Sequence, residues 1–91
     1  MLKAEVKIIN RLGLHARAAA QLVRLAATFQ SSIQLIRPDT AVEANAKSIL
    51  SVLALSAAMG SSLIIKADGK DEARALEMIS DLFSSGFGEL G

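Results

Sequence analysis

Apolar and polar residues alternate one by one at the start of the chain, then shift to a spacing of three and four. Between Leu2 and Ile9, the side chains of Leu2, Ala4, Val6 and Ile8 fall on one side and those of Lys3, Glu5 and Lys7 on the other. That is the two-residue period of a half-buried strand. Asn10 to Leu14 contains Gly13 and reads as a loop. From Ala16 to Phe29, Ala19, Leu22, Val23, Ala26 and Phe29 make one stripe, with Arg17, Gln21, Arg24 and Thr28 mainly opposite, as in a helix packed on one side. Ser31-Ser32 ends that helix. Ile33, Leu35 and Arg37 then alternate with Gln34 and Ile36, giving a second strand that stops before Pro38-Asp39. Ala41 to Ala44 is a short third strand, joined to the second by a hairpin turn. Ser48 opens a short Leu-rich helix through Leu55, and Ser62 to Asp68 alternates again as a fourth strand ended by Asp68-Gly69. The last helix starts near Asp71-Glu72, where acidic side chains suit the positive end of a helix. It turns Leu76, Ile79 and Phe83 inward and closes near Gly86, a residue suited to a C-terminal cap.

The order β-α-β-β-α-β-α predicts an α+β fold: a four-stranded, mostly antiparallel sheet with three helices on one face. No repeat or linker divides the sequence, so residues 1–91 are expected to form one domain. A chain of this size buries roughly 60–65 % of the surface its unfolded form exposes. That supports one core without staples, but not a deep enclosed active site.

Composition removes several classes of function. The chain has no cysteine, which excludes a disulfide scaffold and a thiolate metal site. Ten basic and nine acidic residues give a net charge of +1, so no global field draws in nucleic acid or an anionic membrane. Aromatics make up 3 %, too few for a base-stacking platform. The stretch Ser48 to Ile65 carries no charge and nears the length of a membrane span, but five serines and Gly60 interrupt it. A buried helix, a turn and a strand account for it better. Met1-Leu2-Lys3-Ala4-Glu5 lacks the apolar run of a signal peptide. The expectation is a cytoplasmic, monomeric protein that engages neither nucleic acid nor membrane.

The single histidine stands in Gly13-Leu14-His15-Ala16-Arg17. A lone histidine is more often a loop or capping residue than a functional one, but the position of His15 shifts that balance. It lies where the loop becomes a helix, so the unpaired N–H groups of Ala16 and Arg17 are expected to point towards its ring. Helix starts bind phosphate through such donors and through the positive dipole end. Arg17 adds a guanidinium fork for phosphoryl oxygens. Nucleophile, anion cradle and arginine together meet the needs of phosphoryl transfer, which rests on positioning and charge stabilisation. No carboxylate lies close in sequence to act as a base, and nothing resembles a Walker loop or a serine-nucleophile elbow. The site is thus expected to be able to accept a phosphoryl group, with no ATP-using or hydrolytic chemistry of its own, and no cofactor or metal is implied.

Gly13-Leu14-His15-Ala16-Arg17, preceded by Asn10-Arg11-Leu12, resembles the active-site signature of the HPr family. These are the histidine-containing phosphocarriers of the bacterial phosphoenolpyruvate-dependent phosphotransferase system. Asn45-Ala46-Lys47-Ser48-Ile49-Leu50 resembles the family's regulatory serine segment, and Ala58-Met59-Gly60-Ser61 the turn after it. Ala67-Asp68-Gly69 and Ser85-Gly86-Phe87-Gly88-Glu89 are similar to further family elements, so the resemblance spans essentially the whole chain. It implies an open-faced β-sandwich, phosphorylation of His15 at Nδ1 by enzyme I, and delivery to enzyme II A domains during sugar uptake. It also implies Arg17 as the group assisting the phosphoryl, and Ser48 as a regulatory site for a serine kinase/phosphorylase. One position departs: the family usually has proline where this chain has Ala18.

Serine ahead of a short apolar helix is more often an N-cap than a kinase target. The two roles are compatible at Ser48, because phosphate suits a helix start. Too many residues of that helix are apolar for all to be inside. Val52 and Leu55 suit the core, and Ile49, Leu50 and Leu53 are expected to form an exposed docking patch beside His15. An alternative function is a regulatory interaction protein of the nitrogen-related phosphotransferase branch, with phosphorylation as the signal; Glu43-Ala44-Asn45 and Ser85-Gly86-Phe87 faintly resemble that branch. A small ferredoxin-like hydrolase or RNA-binding module lacks the basic surface and the aromatics it would need.

Overall fold

The computed structural model of the chain describes residues 1–89. Its elements are β1 (Leu2–Lys7), α1 (Ala16–Ala26), β2 (Ser32–Arg37), β3 (Val42–Asn45), α2 (Ile49–Ala54), β4 (Ser62–Asp68), α3 (Glu72–Ser84) and a single 3₁₀ turn at Gly86–Gly88. The sheet runs β1-β4-β2-β3 with every pair antiparallel. Register explains the division of its faces. Ala4 and Val6 lie opposite Ile65 and Leu63, Ile33 opposite Ala67, and Leu35 opposite both Ile65 and Ala44. These side chains form the inner face, while Lys3, Glu5, Lys7, Gln34 and Lys66 fall on the outer one.

Helices cover only the inner face. α3 lies over β1 and β4, α2 packs against α1 and the end of β3, and α1 sits beside both helices. The core gathers Leu22 of α1, Val52 of α2, Ile79 and Phe83 of α3, and Ile33, Leu35, Leu63 and Ile65 of the sheet, all essentially without solvent contact. Each such side chain is worth about 1.5–3 kcal/mol relative to leaving it exposed. No described helix is long and apolar enough to cross a membrane.

Several boundaries differ from the sequence expectation, for local reasons. β1 ends at Lys7 rather than Ile9, yet pairing continues past it: the Ile8 N–H donates to Ser61 (2.9 Å) and the Gly60 N–H to Ile8 (2.8 Å). α1 ends at Ala26 rather than Phe29. The Thr28 hydroxyl turns back to the Leu25 carbonyl (2.7 Å), and the Lys47 ammonium takes the Phe29 carbonyl (2.8 Å). Phe29 stays buried although it has left the helix. β3 begins at Val42, because Ala41 adopts a left-handed φ of 59° and belongs to the hairpin turn. α3 closes at Ser84, followed by the cap residue Ser85 and by Gly86 at φ 61°, the left-handed position where glycine is favoured.

Candidate functional site

The loop before α1 is held from below. The Asn10 side chain is fully buried and donates to the Gly13 carbonyl (2.9 Å), while the Gly13 N–H returns to the Asn10 carbonyl (3.1 Å). Gly13 has φ 64°, and a Cβ there would stand 2.5 Å from the Ala57 carbonyl oxygen, so only glycine fits. The Leu14 N–H then donates to the same Ala57 carbonyl (3.0 Å) and its side chain is buried. Anchored this way, the chain delivers His15 in an extended conformation as the N-cap of α1.

His15 caps the helix with its ring. Nδ1 accepts from the Arg17 N–H at 3.3 Å. The sequence led us to expect both Ala16 and Arg17 N–H groups at the ring, but only that of Arg17 reaches it. Among the described residues no acceptor meets the Ala16 N–H, which leaves it free for an incoming anion. The Arg17 side chain is exposed and lines the same cleft as the ring. On the opposite edge, Nε2 of His15 is 2.6 Å from Oε2 of Glu89. The other carboxylate oxygen of Glu89 accepts from Nδ2 of Asn10 at 2.9 Å. These two bonds, that from Asn10 first, hold the Glu89 carboxyl below its usual range.

A shallow cleft of about 730 Å³ opens at this point, lined by Ile9, Arg11, Leu12, His15, Arg17, Met59 and Glu89. Ile9, Leu12 and Met59 are exposed apolar side chains, and Arg11 and Arg17 put positive charge among them. A smaller depression between β1 and α3 groups no comparable chemistry. Among the described residues no three or more histidine, aspartate or glutamate side chains cluster as metal ligands would.

Ser48 caps α2, its Oγ accepting from the Ser51 N–H at 3.4 Å. Val52 and Leu55 are buried. Of the three side chains expected to form an exposed patch, Leu50 is 77 % and Ile49 40 % exposed, but Leu53 packs partly against the core. Leu53 and Ile49 lie four residues apart, on one side of the helix, and Leu53 is the more buried of the two. None of the three lines the cleft at His15. Beside His15 and Arg17, the cleft is lined by Ile9, Leu12 and Met59, apolar side chains outside the regular elements, and by Glu89; the sequence reading gave none of these four a role at the site, although Leu12, Met59 and Glu89 lie in segments that resemble the family.

Residues 2–85 match the family model described as the PTS HPr component phosphorylation site. A phosphocarrier protein HPr of Treponema pallidum is 45 % identical over 89 residues, covering 98 % of this chain and 99 % of that one. A phosphocarrier protein NPr of Proteus mirabilis is 48 % identical over 84 residues, 92 % of either chain. Among solved structures, HPr of Thermoanaerobacter tengcongensis superposes with a TM-score of 0.93 at 36 % identity, covering the whole of both chains.

Proposed function

The chain belongs to the HPr family of phosphotransferase-system phosphocarriers, and from that premise we propose that it accepts a phosphoryl group from phosphorylated enzyme I on Nδ1 of His15. It then passes the group to enzyme II A domains in sugar uptake, as one domain in the cytoplasm. The observation that carries this reading is the direction of the His15 ring. Nδ1 faces the start of α1, accepting from the Arg17 N–H at 3.3 Å, and the exposed Arg17 side chain lines the same cleft. A phosphoryl group there meets backbone N–H groups of Ala16 and Arg17, a positive helix end and a guanidinium. Transfer then needs only a partner whose acceptor nucleophile comes in line with the N–P bond.

The exposed cleft suits such a partner. Ile9, Leu12 and Met59 offer apolar contact, and Arg11 and Arg17 suit acidic side chains around it. Ile49 and Leu50 extend the docking surface along α2, where a phosphate on Ser48 from a serine kinase would act as a regulator. A second reading, a signalling carrier of the nitrogen-related branch, draws support from the 48 % identity to the NPr protein. Recovering partners with the phosphorylated and unphosphorylated forms separates the two.

The test is incubation with phosphoenolpyruvate and enzyme I. One acid-labile, base-stable adduct forms, and His15→Ala abolishes it. Arg17→Ala slows transfer while its melting temperature stays close to that of the parent, as surface changes cost within about 0.5 kcal/mol. An adduct that survives His15→Ala refutes the assignment.

A further inference from the structure

Glu89 lies 74 positions from His15 in sequence, yet its carboxylate closes on the ring edge opposite the helix start. We propose that Glu89 is a positioning residue for phosphoryl transfer: Oε2 fixes the ring proton on Nε2, so that the nucleophilic lone pair sits on Nδ1 at the start of α1. This rests on the phosphocarrier reading of His15.

Both edges of the ring demand the same tautomer. The Arg17 amide can only donate, so in the neutral ring Nδ1, 3.3 Å away, must carry the lone pair. An ionised carboxylate can only accept, so Nε2, 2.6 Å from Oε2, must carry the proton. Without Glu89 only the long bond from the Arg17 amide would bias the ring, so a share of molecules would carry the proton on Nδ1 and could not attack.

The carboxylate is itself held. Asn10 spends one amide hydrogen on Oε1 of Glu89 (2.9 Å) and the other on the Gly13 carbonyl (2.9 Å). Its Oδ1 is buried with no partner among the described residues, so this amide is kept for its two donors. The tail that carries Glu89 is shaped for the approach. Gly86, Phe87 and Gly88 all adopt left-handed φ, at 61°, 57° and 74°. At Phe87 that conformation is unfavourable and persists only where the surroundings over-determine it. Here the buried Phe87 ring packs edge-on against Phe83 of α3, with centroids 5.0 Å apart. The turn locks the tail onto α3 and leaves Glu89 facing the loop before α1.

The step is balanced without any added reactant. The Nδ1 lone pair forms a bond to phosphorus, the bond from phosphorus to the enzyme I donor breaks, and its electron pair leaves with the donor. The proton stays on Nε2, so the ring gains positive charge as the N–P bond forms. Glu89 stabilises that charge from the edge away from the phosphoryl oxygens, as the carboxylate of a Ser-His-Asp triad does for its imidazole. Transfer to the acceptor runs the same sequence backwards.

The experiment compares the parent chain with Glu89→Ala and Glu89→Gln. It uses nitrogen-15 spectra of the His15 ring at a pH where the ring is neutral, single-turnover transfer from phosphorylated enzyme I, and a thermal melt. The parent shows Nε2 protonated and Nδ1 bare. Glu89→Ala shows a mixture and transfers about tenfold more slowly, the effect of losing one charge-assisted hydrogen bond. Glu89→Gln keeps the shape but has one oxygen for two donors. When that oxygen serves Asn10, its NH₂ faces Nε2 and favours the wrong tautomer, so this variant is also slow. A residue that merely braced the fold would move the melt and leave the tautomer alone. An unchanged tautomer in Glu89→Ala, or transfer at the parental rate in both variants, overturns the proposal. If the parent chain takes no phosphoryl group, the phosphocarrier reading falls, and the ring spectra alone decide what Glu89 does.

Discussion

Asp71 at the start of α3 reaches back to Ser31, and Glu89 in the C-terminal tail reaches back to His15; each carboxylate ties together stretches of chain far apart in sequence. Each also sits near a glycine that nothing else can replace. A Cβ on Gly69 would meet Ser31 at 2.7 Å, and one on Gly13 would meet Ala57 at 2.5 Å. The partners differ. Asp71 accepts from the Ser31 hydroxyl and from the backbone N–H groups of Gln30 and Ser31, both at 2.9 Å. None of those groups titrates. The Ser31 hydroxyl first and the Gln30 amide next lower the Asp71 pKa to about 2. Glu89 gives one of its two bonds to an imidazole. A carboxylate whose partners are all fixed donors is a clasp between α1, β2 and α3, whereas one that faces an imidazole can also bias where the ring carries its proton. On the proposed reading of His15, similar geometry serves cohesion at one place and chemistry at the other.

The largest effect on stability is expected at the clasp. Asp71→Asn removes the charge and one acceptor oxygen, so its melting temperature at neutral pH falls by several degrees while transfer at His15, measured below the melt, is unchanged. The sign of the pH dependence follows from the lowered pKa. A carboxyl depressed from 3.8 to about 2 adds stability that is fully present above its unfolded value and is lost as pH falls through that interval. The parent chain therefore loses stability from about pH 4 towards pH 2, and Asp71→Asn shows a shallower acid limb. Thermal melts across that range, with a transfer assay beside them, decide the point. Slowed transfer in Asp71→Asn would erase the distinction between the two carboxylates.

The same contrast accounts for what could be read in the sequence. β4 was legible to its ends, because Leu63, Ile65 and Ala67 alternate without interruption between Gly60-Ser61 and Asp68-Gly69. The place of His15 at a helix start was legible because the pattern is local: a loop glycine, a ring and an arginine within five positions. The end of α1 was not, because Phe29 continues the apolar stripe, while the helix is stopped by Thr28 and by a lysine from the loop before α2. The partial burial of Leu53 was not legible, because periodicity alone does not report how much of a six-residue helix its neighbours cover. The contact of Glu89 with His15 lay beyond local reading, although its segment resembles the family. The two are 74 positions apart, and the fold brings them together through the left-handed turn at Phe87.

A third helix start, with no carboxylate at all, sharpens the comparison. Ser48 caps α2 through a long bond to the Ser51 N–H (3.4 Å), and Leu50 stands exposed beside it. Aspartate is as good an N-cap as serine, and its charge suits the helix end. Ser48→Asp is therefore expected to melt with the parent. At a partner surface built to meet arginines, however, the added negative charge meets acidic groups, and like charges brought together cost several kcal/mol. Binding to enzyme I is expected to weaken about tenfold or more, each 1.4 kcal/mol being about a factor of ten. Leu50→Ala weakens it by less and without adding charge. Titration calorimetry on both variants is the measurement, and unchanged affinity in both would remove α2 from the docking surface.

The smallest expected effect concerns how firmly α1 begins beneath His15. Ala18 is the third residue of that helix and is fully buried, and among the described residues nothing accepts from its N–H. Proline at such a position gives up no hydrogen bond and has the φ the first turn requires. It also restricts the unfolded chain, so Ala18→Pro is expected to stabilise by about 0.4–1 kcal/mol, a rise of a few degrees in a chain this small. The opposing term is space. Ala18 has no solvent contact, and a ring that overfills its site costs about 1–3 kcal/mol. The two added ring carbons lie towards the unbonded N–H rather than along Cβ into the core, which places them where the helix start is open. Entropy is therefore expected to win. Transfer should be unaffected, since the Ala16 and Arg17 N–H groups remain. A melt that falls would show the ring colliding with the loop packed beneath it. A melt that rises while transfer slows would show that the Ala18 N–H had been a third donor to the phosphoryl group.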